Sequence, residues 1–200
     1  MSLTPRDRSL VRLSTAIVVG AWDTARAELE GAGPDGPDRA WREAVLQTHL
    51  FAGFPRLVQA LDELKRAGGL GQPGADELEG DAPPVGRGVE LFDRIYGSGS
   101  DRVREAIGGH HPDAERWILE HAYARVLARP GLAAASRELL AVAALAALGQ
   151  DRQLAGHVRG ALRCGATREQ LDQALDAVTD LVAVDDLERA RRVLEHFAAS

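Results

Sequence analysis

Shifting the sequence against itself by 129 positions lays Arg8 on Arg137, Leu10 on Leu139, Gly20 on Gly149, Gly31 on Gly160, Gly36 on Gly165 and Leu46 on Leu175. Glycine is costly inside helices and common where they stop, so glycines recurring at one spacing mark helix ends that recur. A helical unit of this size buries its apolar face only against a neighbour, and a duplicated unit supplies that neighbour within one chain. The expected organisation is a first repeat over residues 1–66, a Gly/Pro-rich linker over 67–88 and a second repeat over 89–200, the two repeats packing as one domain.

Thr4-Pro5 reads as a cap followed by proline at the first helical position. It opens a helix with Leu10, Leu13 and Ile17 on its apolar stripe, ending near Gly20. A second helix over 21–30 stops at the Gly31 to Pro37 stretch, and a third is expected to run unbroken from about 38 to 65. Residues 67–88 hold Gly68, Gly69, Gly71, Gly74, Gly80, Pro83, Pro84, Gly86 and Gly88 with almost no apolar periodicity, hence the linker. Beyond it, helices are expected over 89–96, from a cap at Ser100, and from His111-Pro112-Asp113, the last carrying Trp117, Ile118, His121 and Tyr123. Three more follow over 134–148, 151–164 and 168–198, the final one opened by a Thr167/Gln170 capping box.

Composition agrees with an all-α class. Hydrophobic residues are 45% of the chain, dominated by Ala and Leu, while aromatics are 4%, a mixture for closely packed helices and not for strands. The net charge of -6, with acids and bases interspersed, repels a phosphate backbone and excludes nucleic acid as the expected partner. No apolar run approaches the roughly 20 residues that span a bilayer, and the N-terminus lacks a signal-peptide pattern, so no membrane partner and a cytoplasmic location are expected. Cys164 is the single cysteine, so the chain has neither an intrachain disulfide nor a CxxC pair.

Arg129-Pro130-Gly131-Leu132, Arg137-Glu138-Leu139-Leu140, Ala146-Ala147-Leu148-Gly149, Leu154, His157-Val158-Arg159-Gly160-Ala161-Leu162 and Gly165-Ala166-Thr167-Arg168-Glu169 follow one another in an order that resembles the core of carboxymuconolactone decarboxylases. The first repeat adds Phe51-Ala52-Gly53-Phe54-Pro55, similar to the aromatic-Ala-Gly-x-Pro element that follows this core in the family. The resemblance is to the carboxymuconolactone decarboxylase and alkylhydroperoxidase D-like superfamily, as a two-copy member, and it implies a duplicated helical-hairpin bundle. It also implies self-association, as a homotrimer or another homo-oligomer. The copies differ: the first has Glu28 where the second has His157, and the second has Asp180 where the first has Phe51. If the copies share one composite pocket, His157 lies close to Phe51 or Phe54.

Alkylhydroperoxidase-type relatives use a glutamate, a CxxC pair and a histidine, the thiolate attacking the peroxide. On that pattern Glu138 and His157 match the acid and the histidine, whereas Gln150 and Gln153 stand where the cysteines belong. Glutamine is neither nucleophile nor redox centre, so thiol peroxidase activity is disfavoured. Cys164, seven residues past His157, reads as a small buried filler. Decarboxylase-type members dispense with the cysteines, and the resemblance then implies cofactor-independent proton transfer on a small carboxylated substrate. Glu138 and His157 are the candidate catalytic pair. Arg159 and Arg163 are candidates to clamp the substrate's carboxylate, and Gln150, Gln153, His49 and Phe51 to line its pocket.

Plainer readings stand beside these. An acid near a helix N-terminus, as at Glu138, is favoured by the helix dipole alone, and Arg159 and Arg163 read more simply as solvated surface or subunit-interface residues. His110, His111, Asp113 and His121 offer metal-ligand atoms, but none has the HxxxH spacing that brings two imidazoles onto one helical face, so no metal and no cofactor are expected. Trp41, Trp117 and Tyr123 read as core or interface aromatics. The leading function is a decarboxylase-type lyase, and the alternative is a non-catalytic oligomeric scaffold or small-molecule binder.

Overall fold

The computed structural model describes residues 2–34, 36–78 and 85–198, and among these the backbone is helix, turn or irregular, with no strand. The expected Gly80 and Pro83-Pro84 part of the linker lies outside the described residues. Helix α1 (Pro5–Val19) begins as its sequence predicts: the Thr4 hydroxyl accepts a 3.1 Å bond from the Asp7 N–H, and Gly20 closes the helix in the left-handed conformation. Helices α2 (Trp22–Glu30), α3 (Arg39–Gln47) and α4 (His49–Arg66) complete the first run.

The single helix expected over 38–65 is instead two helices, the second of them kinked. Thr48 breaks the register, its hydroxyl donating back to the Val45 carbonyl at 2.7 Å. Gly53 then leaves helical geometry (φ 79°, ψ 165°) two residues before Pro55, which has no N–H to give. The bend puts Phe51 on the inner side and leaves Phe54 exposed.

The middle of the chain holds α5 (Val85–Tyr96), α6 (Ser100–His110) and α7 (Pro112–Trp117), the last running on into a π-helical stretch over Ile118–Leu127. The expected linker is therefore shorter than 67–88. Its end is already α5, and its start is held to α3, where Arg42 donates to the Leu70 carbonyl and grips Glu77 through two bonds of 2.6 and 2.7 Å. Ser100 is the first residue of its helix and not the cap, because its hydroxyl is bonded to the Asp93 carboxylate. His111 does the capping at α7, accepting from the Asp113 N–H.

Helices α8 (Ala134–Ala147), α9 (Asp151–Arg163), α10 (Arg168–Asp176) and α11 (Val184–Ala198) form the last run. The Thr167/Gln170 capping box is present at α10. The single helix expected over 168–198 is interrupted at 177–183, where Arg12 takes the Ala177 carbonyl at 2.5 Å and the Asp180 carboxylate at 2.7 Å and holds this stretch as turns. A shift of 129 residues carries the starts of α1, α2 and α3 onto the starts of α8, α9 and α10. Gly160, however, lies inside α9 and not at a helix end, unlike Gly31, which caps α2.

One apolar cluster draws on both runs, with Leu10, Leu13, Ile17, Ala44 and Leu57 packed among Leu140, Val142, Leu154, Val158 and Leu175. A second cluster (Phe92, Ile95, Leu119, Tyr123, Leu127 and Cys164) seats α5 and the π-helical stretch against the end of α9. Between the runs lies a buried ionic knot. Arg137 of α8 and Glu43 of α3, each 1% exposed, pair at 2.8 Å, and Arg129 adds a two-pronged contact to Glu43 at 3.0 to 3.1 Å. Gln47 closes the knot, accepting from the Arg137 guanidinium and donating to the Arg137 carbonyl.

Charges taken this far from water are tolerable only when paired, so removing one partner strands the other. Glu43→Ala is expected to lower unfolding stability by about 3–5 kcal/mol in a urea titration, and Glu43→Leu combined with Arg137→Met to lower it by less. Equal losses in the two variants would contradict this role for the pair.

Candidate functional site

Arg137 and Glu138 are consecutive, so they leave α8 on different sides. Arg137 enters the ionic knot while Glu138, 1% exposed, points at α9. There the Nδ1 of His157, itself 9% exposed, lies 2.9 Å from Glu138 Oε2. A carboxylate accepts, so Nδ1 carries the proton and donates, and proton exchange with anything else falls to Nε2. The space for this contact comes from Gly160, where a Cβ would sit 2.6 Å from Glu138 Oε2 and 2.7 Å from Ile95 Cγ2. That clash explains a glycine inside α9.

The Phe51 ring meets the His157 ring edge-on, with centroids 6.4 Å apart, so the aromatic of the first run and the histidine of the second do come together. On the α5 side lie Ile95 and Tyr96, against Gly160 and Gly156, with Tyr123 and Cys164 in the same cluster. Burial pushes the Cys164 thiol up, and the charge of Glu138 pushes it further, which suppresses the thiolate that peroxide chemistry needs. For His157 two effects oppose. Burial lowers the imidazole pKa, but the charge and hydrogen bond of Glu138 together outweigh it, and the net shift is upward from 6.5.

The substrate-binding candidates scatter. Residues two apart on a helix do not share a face, and Arg159 accordingly lies exposed on the side of α9 away from His157, stacked 4.6 Å over the Phe197 ring. Arg163, also exposed, donates at 2.7 Å to the Ile95 carbonyl and so latches the end of α5. Neither joins the pair as a clamp. Gln150 and Gln153 are exposed at the start of α9. His49 is engaged elsewhere through both ring nitrogens: Nδ1 donates to the Leu46 carbonyl at 2.5 Å, and Nε2 meets Nε2 of His121 at 2.8 Å, with the Phe54 ring stacked 4.6 Å away. Among the described residues no three His, Cys, Asp or Glu side chains converge as metal ligands. Tyr96 and the role of Gly160 were not anticipated, since α5 meets α9 only through tertiary packing.

Residues 112–196, which contain both Glu138 and His157, match the carboxymuconolactone decarboxylase family. This match is consistent with the carboxymuconolactone decarboxylase and alkylhydroperoxidase D-like superfamily that the sequence resembles. It is similar to peroxisomal protein 2 of Schizosaccharomyces pombe, 29% identical over 162 residues that cover 78% of this chain and 75% of that one. It is also similar to the 4-carboxymuconolactone decarboxylase of Acinetobacter baylyi, 29% identical over 90 residues, 44% of this chain and 67% of that enzyme. Peroxisomal protein 2 of Saccharomyces cerevisiae is 26% identical over 160 residues, 66% of this chain and 56% of that protein. The carboxymuconolactone decarboxylase match thus covers the helices that carry the Glu138 and His157 pair. No helix among the described residues is long and apolar enough to cross a membrane.

Because Glu138 is what raises His157, Glu138→Gln leaves burial to act almost alone, and the His157 titration followed by NMR is expected to move down; Gly160→Ala, which displaces the carboxylate, is expected to move it the same way. A His157 titration unchanged in both variants would contradict the pairing. Since the folded-state pKa is the higher one, the pair's contribution to stability is fully present below the ordinary value of 6.5 and fades as pH rises through the raised folded value.

Proposed function

We propose that this chain is a cofactor-independent lyase of the decarboxylase type, acting on a small carboxylated lactone or a related acid, with His157 as the proton carrier. The buried Glu138–His157 hydrogen bond carries the reading. Such a bond fixes one tautomer, leaves Nε2 on the side away from Glu138 as the reactive nitrogen and stabilises the imidazolium form, so Glu138 is a positioning residue for His157 and not a second acid facing the substrate. In the reaction the bond to the leaving carboxylate breaks, carbon dioxide departs and the electron pair passes into the conjugated lactone as an enolate. His157 Nε2–H then protonates that enolate and is recharged from solvent.

The two runs are read as copies of one unit, each completing a site on the other. Under the 129-residue shift, His157 corresponds to Glu28 and Phe51 to Asp180. Both correspondents sit in one cluster, where Arg12 binds Glu28 at 2.6 Å and Asp180 at 2.7 Å. The second position is thus closed by an ion triad without an imidazole, which gives one acid/base site per chain. Self-association belongs to the same proposal: Phe54, Val58 and Leu61 expose an apolar row along α4 that a homotrimer would cover.

The relative named 4-carboxymuconolactone decarboxylase supplies the assay substrate. The wild-type chain is expected to decarboxylate 4-carboxymuconolactone, with His157→Gln lowering kcat by about 10²–10⁴ and Cys164→Ala leaving it unchanged. No turnover by the wild type, or full turnover by His157→Gln, would favour a non-catalytic scaffold instead.

A further inference from the structure

Residues 85–127 have no counterpart under the 129-residue shift, and they pack over one side of the Glu138–His157 pair. Helix α5 approaches α9 across its two interior glycines. Ile95 meets Gly160, and Tyr96 lies against Gly156, where a Cβ would be 3.4 Å from Tyr96 Cε1 and 3.8 Å from its hydroxyl oxygen. Gly156 directly precedes His157, so the phenol packs on the residue next to the one that carries the imidazole. The approach is fixed by the bond from Arg163 to the Ile95 carbonyl, one residue before Tyr96.

The hydroxyl is also oriented. Tyr123, 4% exposed, donates to the Tyr96 oxygen across 3.4 Å, and Phe92 packs between the two, with centroids 4.3 and 4.8 Å from their rings. With its oxygen serving as acceptor, Tyr96 keeps its own proton for a further partner. Tyr96 is only half-buried. Burial, ahead of the Tyr123 bond and of the opposing charges of Glu138 and Arg159, pushes its pKa above the ordinary 10, so near neutral pH the group is a donor and not a base.

We infer that the Tyr96 hydroxyl is the third polar group of this site, donating a hydrogen bond to the enolate oxygen that forms on the substrate as carbon dioxide leaves, before His157 delivers its proton. The inference rests on the proton-transfer reading of Glu138 and His157. Tyr96 transfers no proton. It stabilises the negative charge on the lactone's carbonyl oxygen while carbon dioxide leaves, and a fixed donor at a developing oxyanion acts on the transition state more than on the ground state. The middle segment would then supply a catalytic residue to one site only, matching the ion triad that closes the other.

Tetronic acid, a butenolide that is an enolate at neutral pH, is the probe. Calorimetry on the full chain is expected to show that the wild type binds it and that Tyr96→Phe weakens binding by about tenfold or more. With 4-carboxymuconolactone, Tyr96→Phe is expected to lower kcat by about 10²–10³ with little change in KM. Tyr123→Phe, which leaves the Tyr96 proton in place, is expected to keep most of the binding. Tyr96→Phe binding tetronate as well as the wild type, a wild type that does not bind it, or equal losses in the two variants with equal losses of thermal stability would each overturn the inference. Failure of the underlying reading shows differently, as His157→Gln retaining turnover while Tyr96→Phe still weakens tetronate.

Discussion

The pairing of Arg137 with Glu43 sets the rotation of α8, and much of the site depends on that rotation. A guanidinium and a carboxylate both 1% exposed cannot drift apart without stranding charge in the core, so α8 presents Arg137 to α3 in one orientation. The next residue is then committed as well. Glu138 must face α9, and it is there that His157 Nδ1 receives it. A structural ion pair and a chemical pair thus share two consecutive residues of one helix, and the knot that joins α3 to α8 also aims the acid.

Close approach is the second requirement, and α9 meets it with absent side chains. Gly160 admits the Glu138 carboxylate and Ile95, and Gly156 admits the Tyr96 ring. The same two glycines therefore seat the pair and bring α5 over it. From the other side, the kink at Gly53 and Pro55 turns Phe51 toward His157. Three separate parts of the chain meet around this pair: the second run supplies the acid and the histidine, the first run the aromatic wall, and the middle segment Ile95 and Tyr96 against the two glycines.

What the sequence made legible was local. The Thr4 cap, the Thr167/Gln170 box and the stops at Gly20 and Gly149 are read from neighbouring residues, and each depends on bonds within a few positions. The pairing of Glu138 with His157 was legible through family resemblance. Most of what was not legible depended on distant partners. The break at 177–183 is held by Arg12, more than 160 positions away in the chain, whereas the kink in α4 is local, a positive-φ Gly53 two residues before Pro55 inside an otherwise apolar helix. Arg159 and Arg163 were grouped with His157 by proximity in sequence, yet helical geometry sends them to another face. His49 stands beside Phe51 in sequence but pairs with His121 from the middle segment, and Tyr96 enters the site by the same kind of long-range packing.

On the proposed reading, Glu138 holds His157 with its proton on Nδ1, leaving Nε2 to exchange protons with the substrate. Long-range proton–nitrogen correlation NMR reads the tautomer of each histidine directly. With the pH above the His157 titration, a protonated Nδ1 and a bare Nε2 are expected in the wild type, with loss of that preference in Glu138→Ala. A neutral His157 with its proton on Nε2, or a tautomer indifferent to the loss of Glu138, would contradict it.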